Sequence, residues 1–447
     1  MLESIIFVVS YYVGIFFYFG TDIKSNLSFD IKPFLYSSIM ILSISTQGLY
    51  RVRYRESYLG IFVRIFISFV VGFLIIIFLF YISSLSMFYF GRLAFAYSHI
   101  TSFICICIVH AYFFAAIDQS KFKNRIFVLG TGYKASSLSQ LRRKSDLRNC
   151  VIVGYIKCTP NNLCVANDIV DINIEDLKSY AINNNVNEIL AAFDNHHISP
   201  FIEQQLIGCR MNGINVIDLC SFFERETGRI KLDLLHPSWL IYSDGFDQNT
   251  NRIFLKRMID LFLSILLIFL SLPVMFFAAL AIFIDSNRGE GIFYQQGRIG
   301  LNGKPFKIIK FRSMIANAES NNGAQWAQED DKRITRVGKF IRKYRIDELP
   351  QLFNVFMGNM SLVGPRPERP EFVAMLSERI PYYNERHRVK PGITGWAQLN
   401  YPYGASIQDS LEKLQYDLYF VKNNSLFLDT MILLQTAEII LFKKGSR

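Results

Sequence analysis

The sequence predicts a membrane protein of mixed architecture: transmembrane helices, a Rossmann-like α/β domain with a parallel sheet, then a membrane-embedded helix leading into an α+β domain. Three observations support this fold class. The chain of 447 residues is 51% hydrophobic and 15% aromatic, and its apolar residues cluster near the start and again around 258–284. Runs approaching 20 apolar residues are typical of membrane helices. Between the two clusters, strand-like and helical patterns alternate, which favours a parallel sheet.

The N-terminal region, 1–120, is predicted to contain four transmembrane helices at about 4–19, 33–50, 64–85 and 99–117. Each run approaches the length that crosses the hydrocarbon core of a bilayer. Lysine and arginine concentrate in the loop after the second run and in the segment after the fourth: Arg51, Arg53, Arg55, Lys121, Lys123 and Arg125. Because positive loops stay inside, the N-terminus and everything after residue 120 should face the cytoplasm.

Residues 121–245 are predicted to form the α/β domain. Gly130-x-Gly132 follows the strand-like run 125–129 and precedes a helical stretch, which is the context of a dinucleotide-binding loop. The acidic residue expected on the ribose is missing, since the second predicted strand ends at Lys157. We therefore predict a regulatory nucleotide-binding domain, or a domain without a ligand, in preference to an NAD site.

Residues 246–285 are predicted to be a linker and a re-entrant membrane helix. The run Met258–Ile284 is apolar except for Asp260, for which an ion pair with Lys256 is expected at the membrane interface. A full crossing would place a basic domain outside the cell, against the positive-inside rule. Pro273 removes a helical hydrogen bond, so we predict a break there, with Ser271 covering the freed backbone groups. An ordinary crossing is the alternative.

Residues 286–447 are predicted to form a cytoplasmic α+β domain. Two strand-like runs flank Asn302-Gly303, a pair that favours a type I′ hairpin turn. An amphipathic helix is expected over 332–345, because apolar residues recur there at intervals of three and four.

Composition excludes some functions. The net charge of +11 indicates anionic lipid or phosphorylated substrates, and the sequence contains no nucleic-acid-binding motif. The seven cysteines form no C-x-x-C pair and are predicted to be free thiols. His196 and His197, beside Asp194, could suggest a metal site. The adjacent histidines point in different directions and no third ligand has suitable spacing, so a loop is expected there.

Asp347-Glu348 is the main candidate for chemistry. Pro350 is tolerated in the first turn of a helix and Gly358 suits its end, so Asp347 is predicted to be the helix N-cap. A helix N-terminus attracts phosphate. Because neighbouring helical side chains point about 100° apart, the two acids should have separate roles, one as nucleophile and one as ligand of a divalent ion.

Three cationic segments accompany the acids. Arg366, between two prolines in Gly364–Glu368, is held on stiff backbone and suits a bidentate phosphate contact. The segments Lys310–Met314 and Lys390–Trp396 could bind pyrophosphate, and Trp396 could stack on a base or lie at the membrane interface. Each segment taken singly is more often structural.

Together these motifs resemble the bacterial sugar transferases, which are monotopic polyprenyl-phosphate hexose-1-phosphate transferases. The resemblance runs from Lys256 to the C-terminus. The motifs that carry it are Lys256-Arg257-x-x-Asp260, the break at Pro273, Phe311-Arg312-Ser313-Met314, Arg345-x-Asp347-Glu348-Leu349-Pro350-Gln351, Gly364-Pro365-Arg366-Pro367-Glu368 and Lys390-Pro391-Gly392-Ile393-Thr394-Gly395-Trp396. Small family members break the membrane helix at Ser-Pro, whereas this chain has Leu272-Pro273.

The resemblance implies an activity and roles. Asp347 would attack the sugar-linked phosphorus of a UDP-sugar, expel UMP and form a phosphosugar–aspartyl intermediate, which undecaprenyl phosphate would then attack. Glu348 would hold Mg²⁺, while cations would contact the substrate phosphates; the candidates are Lys310, Arg312, Arg345 and Arg366. The enzyme would lie in the bacterial inner membrane and start capsule, O-antigen or exopolysaccharide synthesis. Large members of the family also suggest a homodimer. The motifs do not distinguish glucose, galactose and N-acetylated sugars.

Two other functions are weighed. A membrane-anchored nucleotide-sugar dehydratase or epimerase could share the front half, but it needs a Tyr-x-x-x-Lys pair, which the sequence lacks. A nucleotide-sensing scaffold of polysaccharide export would leave both acids dispensable.

Overall fold

A computed structural model describes residues 2–19, 32–46, 58–83, 92–117, 123–140, 150–157, 169–170, 177–193, 199–235, 245–246, 249–285, 291–315, 333–402, 404 and 406–442. The chain divides into two compact units, Met1–Gly228 and Arg229–Arg447. The loop arginines at 51–55, Lys121 and the Asp194–His197 segment lie outside the described residues.

The first unit begins with four helices, α1 (Leu2–Phe19), α2 (Lys32–Thr46), α3 (Tyr58–Ser83) and α4 (Arg92–Ile117). Helix α4 begins seven residues before the predicted start at 99, because the apolar run already starts at Leu93. Within the described residues, the stretches of α3 and α4 that are long and apolar enough to cross a membrane are Ile61–Leu79 and Leu93–Phe113. Buried side chains from all four helices form one cluster: Phe7, Tyr11, Tyr36, Met40, Ile44, Ile65, Phe69, Ile76 and Ile106.

The second part of this unit is a five-stranded parallel sheet, as the sequence predicts. Its strands are β1 (Asn124–Leu129), β2 (Cys150–Ile156), β3 (Ile169–Val170), β4 (Glu188–Ala191) and β5 (Asn215–Asp218), in the order β3-β2-β1-β4-β5. The helices of this domain are α5 (Tyr133–Ser136), α6 (Leu177–Asn183), α7 (Pro200–Met211) and α8 (Leu219–Thr227). Phe127, Leu129 and Ile189 are fully buried in the core of this domain.

The second unit starts before the predicted boundary at 245/246. The backbone N–H of Ile230 donates to Gln415 O over 3.0 Å, and Arg229 pairs with Glu412 at 2.8 Å. Residues 229–235, which the sequence prediction assigned to the α/β domain, therefore belong by their contacts to the C-terminal unit.

Helix α9 (Thr250–Asp285) runs through Pro273 as one helix of 36 residues, so the predicted break does not interrupt it. At 1.5 Å per residue its axis is about 54 Å long. The predicted role of Ser271 is wrong: Ser271 Oγ donates to Ile268 O over 3.2 Å and not to Phe269 O, the carbonyl that Pro273 leaves without a donor. The outward face of the helix is apolar and exposed, and includes Phe262, Phe269, Leu270, Phe276, Phe277 and Phe283.

Both halves of α9 contact the rest of the second unit. Met275, Ala278 and Ile282 pack with Phe311 and Ile341 in one buried cluster. Near the other end, the predicted Lys256–Asp260 ion pair is wrong. Lys256 instead pairs with Asp429 at 2.6 Å, and Asp260 accepts a hydrogen bond from the Leu362 N–H at 3.1 Å. A buried carboxylate needs a donor, and the backbone supplies it here.

The remaining elements are β6 (Phe293–Ile299), β7 (Pro305–Phe311), α10 (Arg336–Lys343), α11 (Gln351–Met357), β8 (Ser361–Val363), α12 (Pro370–Arg379), β9 (Gly392–Thr394), α13 (Trp396–Asn400), α14 (Ile407–Lys422) and α15 (Leu426–Phe442). They include two separate two-stranded sheets, β6–β7 antiparallel and β8–β9 parallel. The β6–β7 hairpin is confirmed, with Asn302 and Gly303 at positive φ and Lys304 N donating to Leu301 O. Helix α10 is shorter than predicted, since the Thr335 side chain caps it by accepting from Gly338 N.

Candidate active site

The acid pair lies in a 3₁₀ turn, Ile346–Glu348, immediately before α11. Arg345 opens this turn with a left-handed backbone, φ 59°, which redirects the chain after α10. The prediction that Asp347 is a helix N-cap is wrong: Asp347 lies inside the 3₁₀ turn, and the residue that precedes α11 at its start, Gln351, is Pro350. The predicted end of that helix at Gly358, φ 90°, is confirmed.

Glu348 is held by two cations that the sequence places far from it. Arg366 Nη2 donates to Glu348 Oε1 over 2.8 Å, and Lys310 Nζ donates to the same oxygen over 3.1 Å. Burial by itself would raise the pKa of the Glu348 carboxyl, but the charges of Arg366 and Lys310 outweigh it and hold the pKa well below its usual range. Glu348 is therefore a permanent anion in this site.

Asp347 is in a different environment, although it is the next residue. Its side chain is 8% exposed, and its Oδ1 is buried without a hydrogen-bond partner among the described residues. Burial and the neighbouring Glu348 raise the pKa of Asp347, while Lys310, Arg342 and Arg345 oppose the rise. A buried oxygen without a partner is rare and needs an explanation. Here it leaves one carboxylate oxygen uncommitted beside several cations.

The backbone around Arg366 is held by hydrogen bonds from residues that lie outside the sequence motifs. Arg386 Nη2 donates to Arg366 O over 2.9 Å, and Arg386 pairs with buried Asp417 at 2.7 Å. On the other side, Arg298 Nη1 donates to Pro367 O over 2.9 Å. Sequence reasoning missed these three residues, because an isolated arginine or aspartate without local spacing gives no signal.

The backbones of the Gly364–Glu368 and Lys390–Trp396 motifs are joined by hydrogen bonds. Strands β8 and β9 pair in parallel, and the bonds continue beyond them from Gly364 N to Thr394 O and from Gly392 N to Pro365 O. A Cβ added at Gly392 would lie 2.1 Å from Gly364 N. The glycines of the two motifs thus allow a close approach that sets the position of the Arg366 loop.

Gly392→Ala should therefore destabilise the C-terminal unit and lower activity together. Overpacking a tight site typically costs about 1–3 kcal/mol, and the clash here is with backbone, which cannot rotate away. Thermal unfolding of the purified full chain would measure the loss. The matched control is Gly297→Ala, where an added Cβ meets nothing within 4 Å. Equal unfolding midpoints for the two variants would contradict the close-approach explanation.

The other predicted residues lie elsewhere. Arg345 is exposed and acts on the acids through charge. The Arg312 guanidinium lies near Gly291, and no contact with Glu348 is seen within the described residues. Trp396 is 7% exposed and packs against Tyr419 with 6.0 Å between ring centroids, which leaves little of its ring accessible to a base.

The glycine loop of the α/β domain is closed. Gly130, Thr131 and Gly132 are buried, and a Cβ at Gly130 would lie 2.4 Å from Ala192 O. Helix α5, which follows the loop, has only four residues. A phosphate would bind through backbone N–H groups at a helix start, and a nucleotide contact at Gly130 and Gly132 stays a prediction.

The acid pair suits magnesium. The described residues contain no group of three or more His, Cys, Asp or Glu that could hold a metal by themselves. Mg²⁺, however, is commonly bound through one or two carboxylates together with substrate phosphates. Both contacts of Glu348 fall on Oε1, and Asp347 Oδ1 has no partner among the described residues. The oxygen donors therefore fit an ion that arrives with a diphosphate.

The fold and the site define a membrane protein with a cation-rich carboxylate site. Comparison with known families agrees: residues 251–443 match the bacterial sugar transferase model, and residues 45–204 match a CoA-binding domain model. The chain belongs to the bacterial sugar transferase family.

Relatives of known name match parts of this chain. A UDP-N-acetylgalactosamine-undecaprenyl-phosphate N-acetylgalactosaminephosphotransferase of Aeromonas hydrophila is 42% identical over 55% of this chain and 56% of its own. A UDP-glucose:undecaprenyl-phosphate glucose-1-phosphate transferase of Xanthomonas campestris pv. campestris is 32% identical over 72% of this chain and 67% of its own. An undecaprenyl-phosphate glucose phosphotransferase of Komagataeibacter xylinus is 42% identical over 43% and 36%.

Proposed function

We propose that this protein transfers a sugar-1-phosphate from a UDP-sugar to undecaprenyl phosphate and releases UMP, as the first membrane step of capsule, O-antigen or exopolysaccharide synthesis. The observation that carries the proposal is the pair Asp347-Glu348, in which one acid is clamped by Arg366 and Lys310 while the other keeps an uncommitted oxygen. Family membership and the activities in the relatives' names support it.

The charge balance of the site suits a diphosphate. Four cations act on the two carboxylates, namely Lys310, Arg342, Arg345 and Arg366. The excess positive charge can stabilise the phosphate oxygens and the charge that develops as a phosphoryl group moves. Phosphoryl transfer depends mainly on such positioning and charge stabilisation.

The reaction proceeds in two displacements. An Asp347 carboxylate oxygen attacks the sugar-linked phosphorus, a new Asp347–phosphorus bond forms, and the bond to the UMP oxygen breaks. An oxygen of undecaprenyl phosphate then attacks the same phosphorus, which frees Asp347 and yields the diphosphate-linked sugar. Arg366 and Lys310 hold the phosphate oxygens during both steps. Glu348, as a permanent anion, orients these two cations and is the residue that would hold Mg²⁺, which supplies further charge neutralisation when bound.

The proposed acceptor, undecaprenyl phosphate, is a membrane lipid, so the catalytic unit is proposed to lie against the membrane. Helices α1–α4 are proposed to cross the bacterial inner membrane, and α9 is proposed to enter and leave on the cytoplasmic face. Arg257 near one end of α9 donates to Val355 O and Phe356 O, while Met275 in the other half belongs to the cluster against which Phe353 packs. The first half of α9 thus bonds to α11 directly, and the second half shares an apolar cluster with Phe353 of α11. Helix α11 has seven residues and is about 10 Å long, far less than the roughly 30 Å of hydrocarbon, which supports the proposal that α9 does not cross the bilayer.

A UMP-release assay tests the activity. Purified full-length protein with undecaprenyl phosphate and Mg²⁺ should release UMP from at least one of UDP-N-acetylgalactosamine, UDP-glucose and UDP-galactose. UDP-N-acetylgalactosamine is tested first, because the relative that is 42% identical is named for that sugar. Omitting the lipid should limit release to about one UMP per enzyme, since the intermediate then accumulates. Chelating Mg²⁺ should remove most of the activity. No release from any sugar would favour the scaffold function.

A C-terminal tag tests the topology. With α9 re-entrant, the tag should resist labelling by a membrane-impermeant reagent in intact cells and become labelled after permeabilisation. A tag inserted within residues 20–31, between α1 and α2, is the control and should be labelled from outside. External labelling of the C-terminal tag would contradict the re-entrant placement.

A further inference from the structure

A second cavity of about 530 Å³ lies within the C-terminal unit, apart from the acid pair. It is enclosed by the first turns of α9, the tip of the β6–β7 hairpin, the segment 382–390 and the end of α14. Asp347, Glu348, Lys310 and Arg366 do not line it. Its volume is in the range of small-molecule sites, so its lining indicates what it could hold.

The lining is rich in positive charge. Five cations line the cavity, Arg252, Lys256, Arg257, Arg388 and Lys390, against two acids, Asp260 and Glu385. The acids are already engaged: Glu385 pairs with Arg388 at 2.9 Å, and Asp260 accepts from Leu362 N. Lys256 is paired as well, with Asp429 at 2.6 Å. Arg257 and Lys390, by contrast, make no ion pair with any residue that the structure describes.

Lys390 is the cation that most needs a partner. Its side chain is half-buried and makes no hydrogen bond or ion pair with any residue that the structure describes. Burial, followed by the charges of Arg257 and Lys256, lowers the pKa of Lys390, whereas Asp260 opposes the shift. Arg257 donates to two backbone carbonyls, which carry no net charge. Crowded cations of this kind are stabilised by an anion between them.

Apolar side chains complete the cavity and continue outward along α9. Ile253, Leu418 and Val421 line the interior. On the neighbouring turns of α9, Phe254 and Phe262 are 66% and 68% exposed. An occupant with an anionic head and hydrocarbon tails would match both parts, because its head meets the cations and its tails follow the exposed face of the helix.

We propose that this cavity binds the phosphate headgroup of an anionic membrane phospholipid, with Lys390 and Arg257 as its phosphate contacts. The site is separate from the reacting acids, so its lipid is bound and not consumed. The proposal rests on the membrane placement of α9 in the proposed function. It also assigns Lys390 a role other than contact with the pyrophosphate of the sugar donor.

Lipid titration with native mass spectrometry tests the proposal on the purified, delipidated full-length protein. Phosphatidylglycerol should bind the wild type, phosphatidylcholine should bind more weakly, and Lys390→Gln should weaken phosphatidylglycerol binding about tenfold, the loss of one charge-assisted contact. Lys390→Arg should restore binding, which separates lost charge from misfolding. The matched control is Arg379→Gln, an exposed cation at the end of α12 that does not line the cavity and should bind as the wild type does.

Two results would overturn the proposal. Equal phosphatidylglycerol affinity of the wild type and Lys390→Gln would remove Lys390 as a contact. Inorganic phosphate or UMP that displaced the lipid at equal concentration would identify the occupant as a free phosphate compound. The readout is independent of UMP release by the transferase assay, so a failure of the proposed activity and a failure of lipid binding are distinguishable.

Discussion

Asp347→Asn is expected to abolish sugar-phosphate transfer, with a loss of about 10⁴-fold or more, the scale seen when a covalent nucleophile is removed. The amide is nearly the same size as the carboxylate but cannot form the bond to phosphorus. Asp347 Oδ1 has no hydrogen-bond partner among the described residues, so few contacts should be lost and the fold should persist. UMP release from the preferred UDP-sugar, with and without undecaprenyl phosphate, measures the effect.

The design of this test separates chemistry from binding. Asp347→Asn should still bind the UDP-sugar, because Arg366 and Lys310 remain clamped to Glu348. The variant should also release no UMP in the absence of the lipid acceptor, a condition in which UMP release reports the first displacement alone. Asp233→Asn, an exposed acid in the same unit, is the matched control and should leave turnover unchanged. Turnover by Asp347→Asn close to that of the wild type would exclude Asp347 as the nucleophile.

Arg386→Gln is expected to give the largest loss of stability. Arg386 and Asp417 form a buried pair at 2.7 Å with side chains only 7% and 2% exposed. Removing one partner of such a pair leaves the other charge buried without a counter-charge and lowers the free energy of unfolding by about 3–5 kcal/mol. For a unit of this size, that corresponds to an unfolding midpoint lower by about 10 °C. Thermal unfolding of the detergent-solubilised full chain measures the shift.

A double variant distinguishes the two roles of this pair. Arg386→Leu combined with Asp417→Leu removes both charges and should recover much of the lost stability, since replacing a buried pair by apolar residues is often neutral. It should not recover activity, because Arg366 O then lacks the donor that fixes the loop. Recovery of both stability and turnover would show that Arg386 has no part in positioning Arg366.

Much of this molecule can be predicted from local patterns. The four N-terminal helices, the parallel sheet and the β6–β7 hairpin lie where period, run length and the Asn302-Gly303 turn predict them. Their bounds differ by several residues because caps, such as Thr335 before α10, decide where a helix starts. The turn of Asp347 and Glu348 was predicted as a helix start, and the left-handed backbone of Arg345 made it a 3₁₀ turn instead.

The sequence by itself therefore determined the family and the acid pair, because those depend on residue types at short spacing. Only the tertiary structure decided which cations meet the acids. Lys310 and Arg366 reach Glu348, while Lys390 lies in a separate cavity. The physical reason is that ion pairs and backbone contacts join segments tens of residues apart, and their proximity is set by packing. The same packing placed Arg386 behind Arg366, a position that no motif indicates.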